Sequence, residues 1–175
     1  MEEKNKREIL FFFQKELKQL EEHYNIGGQI IWLTGKEGIG KTTLVQYFAE
    51  KVGDYEFIDF KISTVGDDFH EKLKELISIK RLVILDNYDY RFKQNGRSFL
   101  EITKLQKRLG ETKNTVIVVS RKQLFMYPMF IYMASLSPKH NFWIEMTELT
   151  LKKIYRMFNK CYAIRGGFLC VRFHC

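Results

Sequence analysis

The sequence predicts an α/β protein with a mainly parallel, five-stranded sheet between two layers of helices. Three observations carry that expectation. Short apolar runs alternate with helical patterns along the chain, as strands joined by crossover helices require. A glycine-rich turn, Gly35-Lys36-Glu37-Gly38-Ile39-Gly40-Lys41-Thr42, links the first such run to the helix that follows it. A third run, Arg81-Leu82-Val83-Ile84-Leu85-Asp86, is branched and apolar and ends in an acid.

Taken in order, residues Asn5 to Tyr24 read as a first helix, with Ile9, Leu10, Phe13, Leu17, Leu20 and Tyr24 as its apolar stripe and Gly27-Gly28 as its stop. Ile30 to Thr34 is the first strand. The helix from Lys41 to Val52 places Leu44, Val45, Phe48 and Val52 on one face, and Gly53-Asp54 closes it. Tyr55-Glu56-Phe57-Ile58-Asp59-Phe60 alternates as a second strand. A helix from about Asp67 turns Phe69, Leu73, Leu76 and Ile77 inward. After the third strand, a helix from Ser98 to Leu109 carries Phe99, Ile102, Leu105 and Leu109, with Gly110 as its stop. Thr115 to Val119 is the fourth strand, and Asn141 to Met146 is the fifth. Thr150 then caps a helix bearing Leu151, Ile154, Tyr155 and Phe158. The Met- and Tyr-rich stretch from Leu124 to Leu136 reads as a connection packing on the sheet, bent at Tyr127-Pro128.

Composition bounds the rest. At 175 residues, with 45% apolar and 29% charged residues, the chain is one ordinary domain with room for a sizeable core. Leu124 to Leu136 is too short to span a bilayer and contains Pro128. Met1 to Glu8 shows no secretory pattern, so the expectation is a cytoplasmic protein without a membrane role. Cys161, Cys170 and Cys175 give an odd count without a Cys-x-x-Cys pair, so reduced thiols are favoured over zinc despite the adjacent His174. The net charge is +8, and Lys152, Lys153, Arg156, Lys160, Arg165 and Arg172 supply six of those charges in a tail without acids after Glu148. Such a tail suits DNA as well as it suits a solvated helix face.

The glycine-rich turn carries the clearest chemistry. Successive N–H groups can point inward where side chains are small, and the next helix adds its positive dipole end, so the turn suits a triphosphate. Lys41 is placed to reach the β- and γ-phosphates and the Thr42 hydroxyl to hold Mg²⁺.

The order of these pieces resembles the additional-strand class of P-loop ATPases, in which one strand separates the phosphate-loop strand from the strand bearing the metal acid. Leu85-Asp86-Asn87-Tyr88-Asp89 is similar to the acid-x-x-acid signature of STAND proteins and of related archaeal ATPases and AAA+ origin-recognition proteins. Val119-Ser120-Arg121 resembles the sensor 1 strand end. Trp143-Ile144-Glu145-Met146-Thr147-Glu148-Leu149-Thr150 resembles the entry to a helical lid, and Arg165-Gly166-Gly167-Phe168-Leu169 resembles a turn within it that lacks the family's proline.

This likeness implies a three-layer α/β/α sandwich of strand order 5-1-4-3-2, a cofactor of ATP with Mg²⁺, and a nucleotide-driven switch. Gly35, Lys36, Glu37, Gly38, Ile39, Gly40, Lys41, Thr42 and Thr43 would form the phosphate site, with Thr42 and Asp86 holding Mg²⁺. Asp89 would orient water and Arg121 would sense the γ-phosphate. Asn87 stands where many AAA+ relatives have Glu, and an amide cannot accept the proton of water, so slow hydrolysis is expected. The implied organisation is an N-terminal helix over 1–28, an ATPase core over 29–147 and the start of an incomplete lid over 148–175, either a minimal form or a truncation. A protein partner or self-association is expected, with Arg91 and Arg97 as candidate trans-acting arginines. A non-hydrolysing nucleotide-binding module, with Phe11 and Phe12 as a docking surface, and a small-molecule kinase using Arg91, Arg97, Arg108 and Arg121 remain alternatives.

Overall fold

Alternation of side chains across buried parallel strands divides the core into two apolar layers, one on each face of the sheet. The computed structural model describes residues 12–63, 66, 68–94, 102, 104–121 and 141–147. Within them the elements run α1 (Gln14–Ile26), β1 (Ile30–Gly35), α2 (Lys41–Val52), β2 (Tyr55–Asp59), α3 (Phe69–Ile79), β3 (Leu82–Asp86), α4 (Tyr88–Gln94), α5 (Gln106–Thr112), β4 (Thr115–Ser120) and β5 (Asn141–Met146). The sheet order is β2-β3-β4-β1-β5, as expected, and every strand pair is parallel.

Ile30, Trp32, Val83, Leu85, Val116 and Val118 face one way, against Phe69, Leu73 and Ile77 of α3 and Leu109 of α5. Their neighbours Ile31, Leu33, Leu82, Ile84, Ile117 and Val119 face the other way, against Leu44, Val45 and Phe48 of α2 and Leu20 of α1. Strands covered on both faces need no polar side, which is why β1, β3 and β4 read as unbroken apolar runs. Each fully buried Leu, Ile or Phe contributes about 1.5–3 kcal/mol relative to exposure. Trp32 is fully buried, and its indole N–H donates to Asn141 Oδ1 at 3.0 Å, which ties β1 to β5 without an orphaned donor.

The first helix begins at Gln14 within the described residues and ends before Gly27-Gly28. Phe13 and Leu20 are buried, while Phe12, Leu17 and Tyr24 pack partly buried against the same layer. Phe12 is thus part of the packing; Phe11 lies outside the described residues.

One reading needs correction. The fifth helix ends not at Gly110 but at Lys113, which adopts φ 57° and donates its N–H to the Leu109 carbonyl at 2.8 Å. Gly28 packs closely on this helix, since a Cβ built on it would lie 3.1 Å from the Leu109 carbonyl oxygen. The segment after Asp86, to which the sequence reading assigns no element, forms the short helix α4, anchored by the buried ring of Tyr88 against Phe60. The readings of residues 1–11, 95–101, 122–140 and 148–175, including Arg97, the lid, the cysteines and the basic tail, lie outside the described residues.

Candidate functional site

Parallel strands bring their carboxyl ends to one edge of the sheet, and the loops there carry the polar chemistry. β1 runs into the glycine-rich turn without a break. A Cβ at Gly35 would stand 2.5 Å from the Met146 carbonyl oxygen, so only glycine lets β1 and β5 pair this closely at the mouth of the turn. Gly40, the N-cap of α2, takes φ 101°, a conformation costly for any residue with a Cβ. It sets the turn so that α2 begins at Lys41 and its first N–H groups face the cleft edge.

The cleft has a volume of about 400 Å³ and is lined by residues from four loops, among them Gly38, Gly40, Lys41, Thr42, Asp59, Asn87, Ser120 and Arg121. The Lys41 ammonium donates to the carbonyls of Gly35 at 2.8 Å and Lys36 at 2.7 Å, which leaves a third N–H of the ammonium for another acceptor. Burial lowers its pKa, and the carboxylates of Asp89, Asp86 and Glu37 partly offset that effect. The Thr42 hydroxyl donates to Asp86 Oδ2 at 2.8 Å, so the two residues assigned to the metal from sequence are in contact. Asp86 is fully buried at the end of β3, and burial raises its pKa, opposed by the hydrogen bonds from Thr42 and from the Asn87 N–H.

A hydroxyl and a carboxylate are hard oxygen donors, and the pair fits Mg²⁺, which is usually held by one or two protein ligands with waters and phosphate oxygens completing the shell. Among the described residues no group of three or more His, Cys, Asp or Glu could hold a metal ion by itself.

Arg121, just beyond β4, bridges two acids. Its Nε lies 2.8 Å from Asp89 Oδ2, in a charge contact rather than an aligned hydrogen bond, and its backbone N–H donates to Asp89 Oδ1 at 3.3 Å. A second guanidinium nitrogen lies 3.2 Å from Glu37 of the turn. Asp89 is the main cause of the raised pKa of Arg121. Lys41, Asp86, Asn87, Asp89 and Arg121 thus gather at one edge. Arg91 does not join them: it is buried, with its guanidinium over the Phe69 ring at 5.4 Å. Arg108 bonds Ser78 at the amino edge, far from the cleft mouth.

Two residues of the cleft were missed as site residues. Ser120 Oγ is buried with no hydrogen-bond partner among the described residues, although it lines the cleft. Asp59 stands opposite Asp86 in the β2–β3 register and accepts a hydrogen bond from Asn87 Nδ2 at 2.8 Å. The signal for it was in the sequence: the alternating second strand and the apolar third strand both carry an Asp at the carboxyl end.

No protein-family model matches the chain, and no curated protein matches it in sequence. Solved structures do. AMPPCP-bound DnaA from Aquifex aeolicus is similar with a TM-score of 0.58 at 16% identity, over 90% of this chain and 53% of that one. The ORC2 protein of Aeropyrum pernix, in ADPNP-ADP complexes, gives a TM-score of 0.59 at 15% identity, over 87% of this chain and 52% of that one. Drosophila ORC bound to DNA gives 0.53 at 13% identity, over 81% of this chain and 93% of that one. The chain thus spans about half the length of the first two. No helix among the described residues is long and apolar enough to cross a membrane. At these identities the likeness speaks to architecture, and the architecture is the three-layer α/β/α fold of a P-loop NTPase, shared with AAA+ ATPases.

Proposed function

We propose that the chain binds ATP with Mg²⁺ and hydrolyses it slowly, with the bound nucleotide acting as a switch. The observation that carries this reading is the 2.8 Å contact between Thr42 and the buried Asp86, directly beneath the turn that holds Lys41. A buried carboxylate with a raised pKa is costly without a cation, and a metal bound with the phosphates would stabilise its charged form. The turn and the N-terminus of α2 hold the phosphates, Lys41 neutralises the β- and γ-oxygens, and Asp89 keeps Arg121 at the cleft mouth, where a γ-phosphate would compete for it. Similar folds with bound AMPPCP and ADPNP support the choice of nucleotide.

On this reading 1–28 packs on the core, 29–147 is the ATPase core, and 148–175 begins a lid. Partners are a protein or a second copy of the chain, and DNA through the basic tail, as the DNA-bound ORC structure suggests by analogy. A non-hydrolysing module is the second reading, and Asn87 in place of a carboxylate favours it. Phosphate release from ATP decides between them. The intact chain should release phosphate slowly and Asp86→Asn should not; bound ATP with no phosphate release from the intact chain would select the second reading.

A further inference from the structure

Glu37, Asp59 and Asp89 line the cleft and Asp86 lies buried beside it, and three of these four carboxylates hold a hydroxyl or a guanidinium. Asp86 accepts from the Thr42 hydroxyl through one oxygen and from the Asn87 N–H through the other. Asp89 is buried and paired with Arg121. Glu37 pairs with the same guanidinium from the outer side.

Asp59 differs from all three. It ends β2, one strand beyond Asp86 and in register with it, so the two backbones are roughly 4.8 Å apart at the same edge. Its Oδ1 accepts from the Lys61 N–H at 2.8 Å and from Asn87 Nδ2 at 2.8 Å. Among the described residues its Oδ2 receives no hydrogen bond and no cation is paired with it, while the residue lines the cleft. Asn87 is turned into φ 54°, and the same Nδ2 lies 3.4 Å from Asp86 Oδ2. Its amide therefore clamps two neighbouring carboxylates, and both of its N–H groups point to them.

We propose that Asp59 is the general base for ATP hydrolysis, supplying from β2 the carboxylate that Asn87 does not supply after β3. The proposal rests on the ATP reading above. In the step, a lone pair of water forms a bond to the γ-phosphorus. The bond from that phosphorus to the bridging oxygen breaks, and its electron pair leaves with ADP. The water proton passes to Asp59 Oδ2 and then to solvent. Asn87 is a positioning residue that holds Asp59 at the cleft edge.

The test compares the intact chain with Asp59→Asn, an isosteric change at a partly exposed site. ATP titration and single-turnover phosphate release are measured on both. The expected result is ATP affinity within about twofold of the intact chain and a rate lower by about 100-fold or more. An unchanged rate overturns the proposal, as does a parallel loss of binding and turnover, the mark of a structural role. An intact chain that binds ATP without releasing phosphate overturns this proposal alone, whereas one that binds no ATP removes the functional reading beneath it.

Discussion

At the amino edge of the sheet, Asn114 donates from Nδ2 to the Ile77 carbonyl at 2.6 Å, the Gly28 N–H donates to the Asn114 carbonyl at 3.1 Å, and the Thr115 N–H donates to the Arg81 carbonyl at 2.9 Å. These are neutral groups meeting neutral groups, with the buried Thr115 hydroxyl as the exception. At the carboxyl edge the chain buries Asp86, half-buries Lys41, and holds Asn87 at φ 54°. One edge joins elements at low cost; the other carries charge and strain that contribute little to folding. Such features collect where a ligand is to be met. Substitutions of polar side chains at the two edges should therefore differ in sign as well as size.

The largest effect is expected at the mouth of the turn. Gly35→Ala drives a Cβ to 2.5 Å from the Met146 carbonyl oxygen, a backbone atom that cannot swing away, and should cost about 3 kcal/mol in urea unfolding. Next, at the amino edge, Asn114→Ala leaves the Ile77 carbonyl without its donor and should cost about 1.5 kcal/mol, with ATP affinity unchanged. At the carboxyl edge Asp86→Asn should act in the opposite sense, raising stability by about 1 kcal/mol while removing Mg²⁺-dependent ATP binding.

The pH dependence has the same origin. Because burial raises the pKa of Asp86, the folded state retains this proton above the ordinary 3.8, so its contribution to stability falls as pH rises through that window. Asp86→Asn should remove that fall. Lys41 shifts downward, so the folded state gives up its proton first and stability rises as pH approaches the ordinary 10.5. The smallest effect is expected for Asn87→Gly, where relief of the positive φ and loss of the Nδ2 bond to Asp59 oppose each other, so that the thermal midpoint should move little.

Much of this arrangement was legible in the sequence, for physical reasons. Buried parallel strands have no polar side, so β1, β3 and β4 announced themselves as branched runs, and the turn needed glycines at fixed places. The contact between Thr42 and Asp86 followed from a motif and a strand-end acid 45 residues after Lys41. What was not legible depended on contacts across elements. Gly110 looked like a helix stop, whereas the C-cap in use is Lys113 at φ 57°, a residue type that carries no local signal for that turn. Tyr88 gave no periodic signal, since a helix as short as Tyr88–Gln94 shows less than two turns of pattern. Asp59 was passed over because its meaning lies in the strand register that sets it beside Asp86.

The central claim is that Lys41, Thr42 and Asp86 form one site for ATP and Mg²⁺. Calorimetric titration of ATP, with and without Mg²⁺, into the intact chain and its Lys41→Ala variant tests it most directly. Binding by the intact chain that Mg²⁺ strengthens and that Lys41→Ala abolishes is the expected result. No binding by the intact chain, or equal binding by both, would contradict the account.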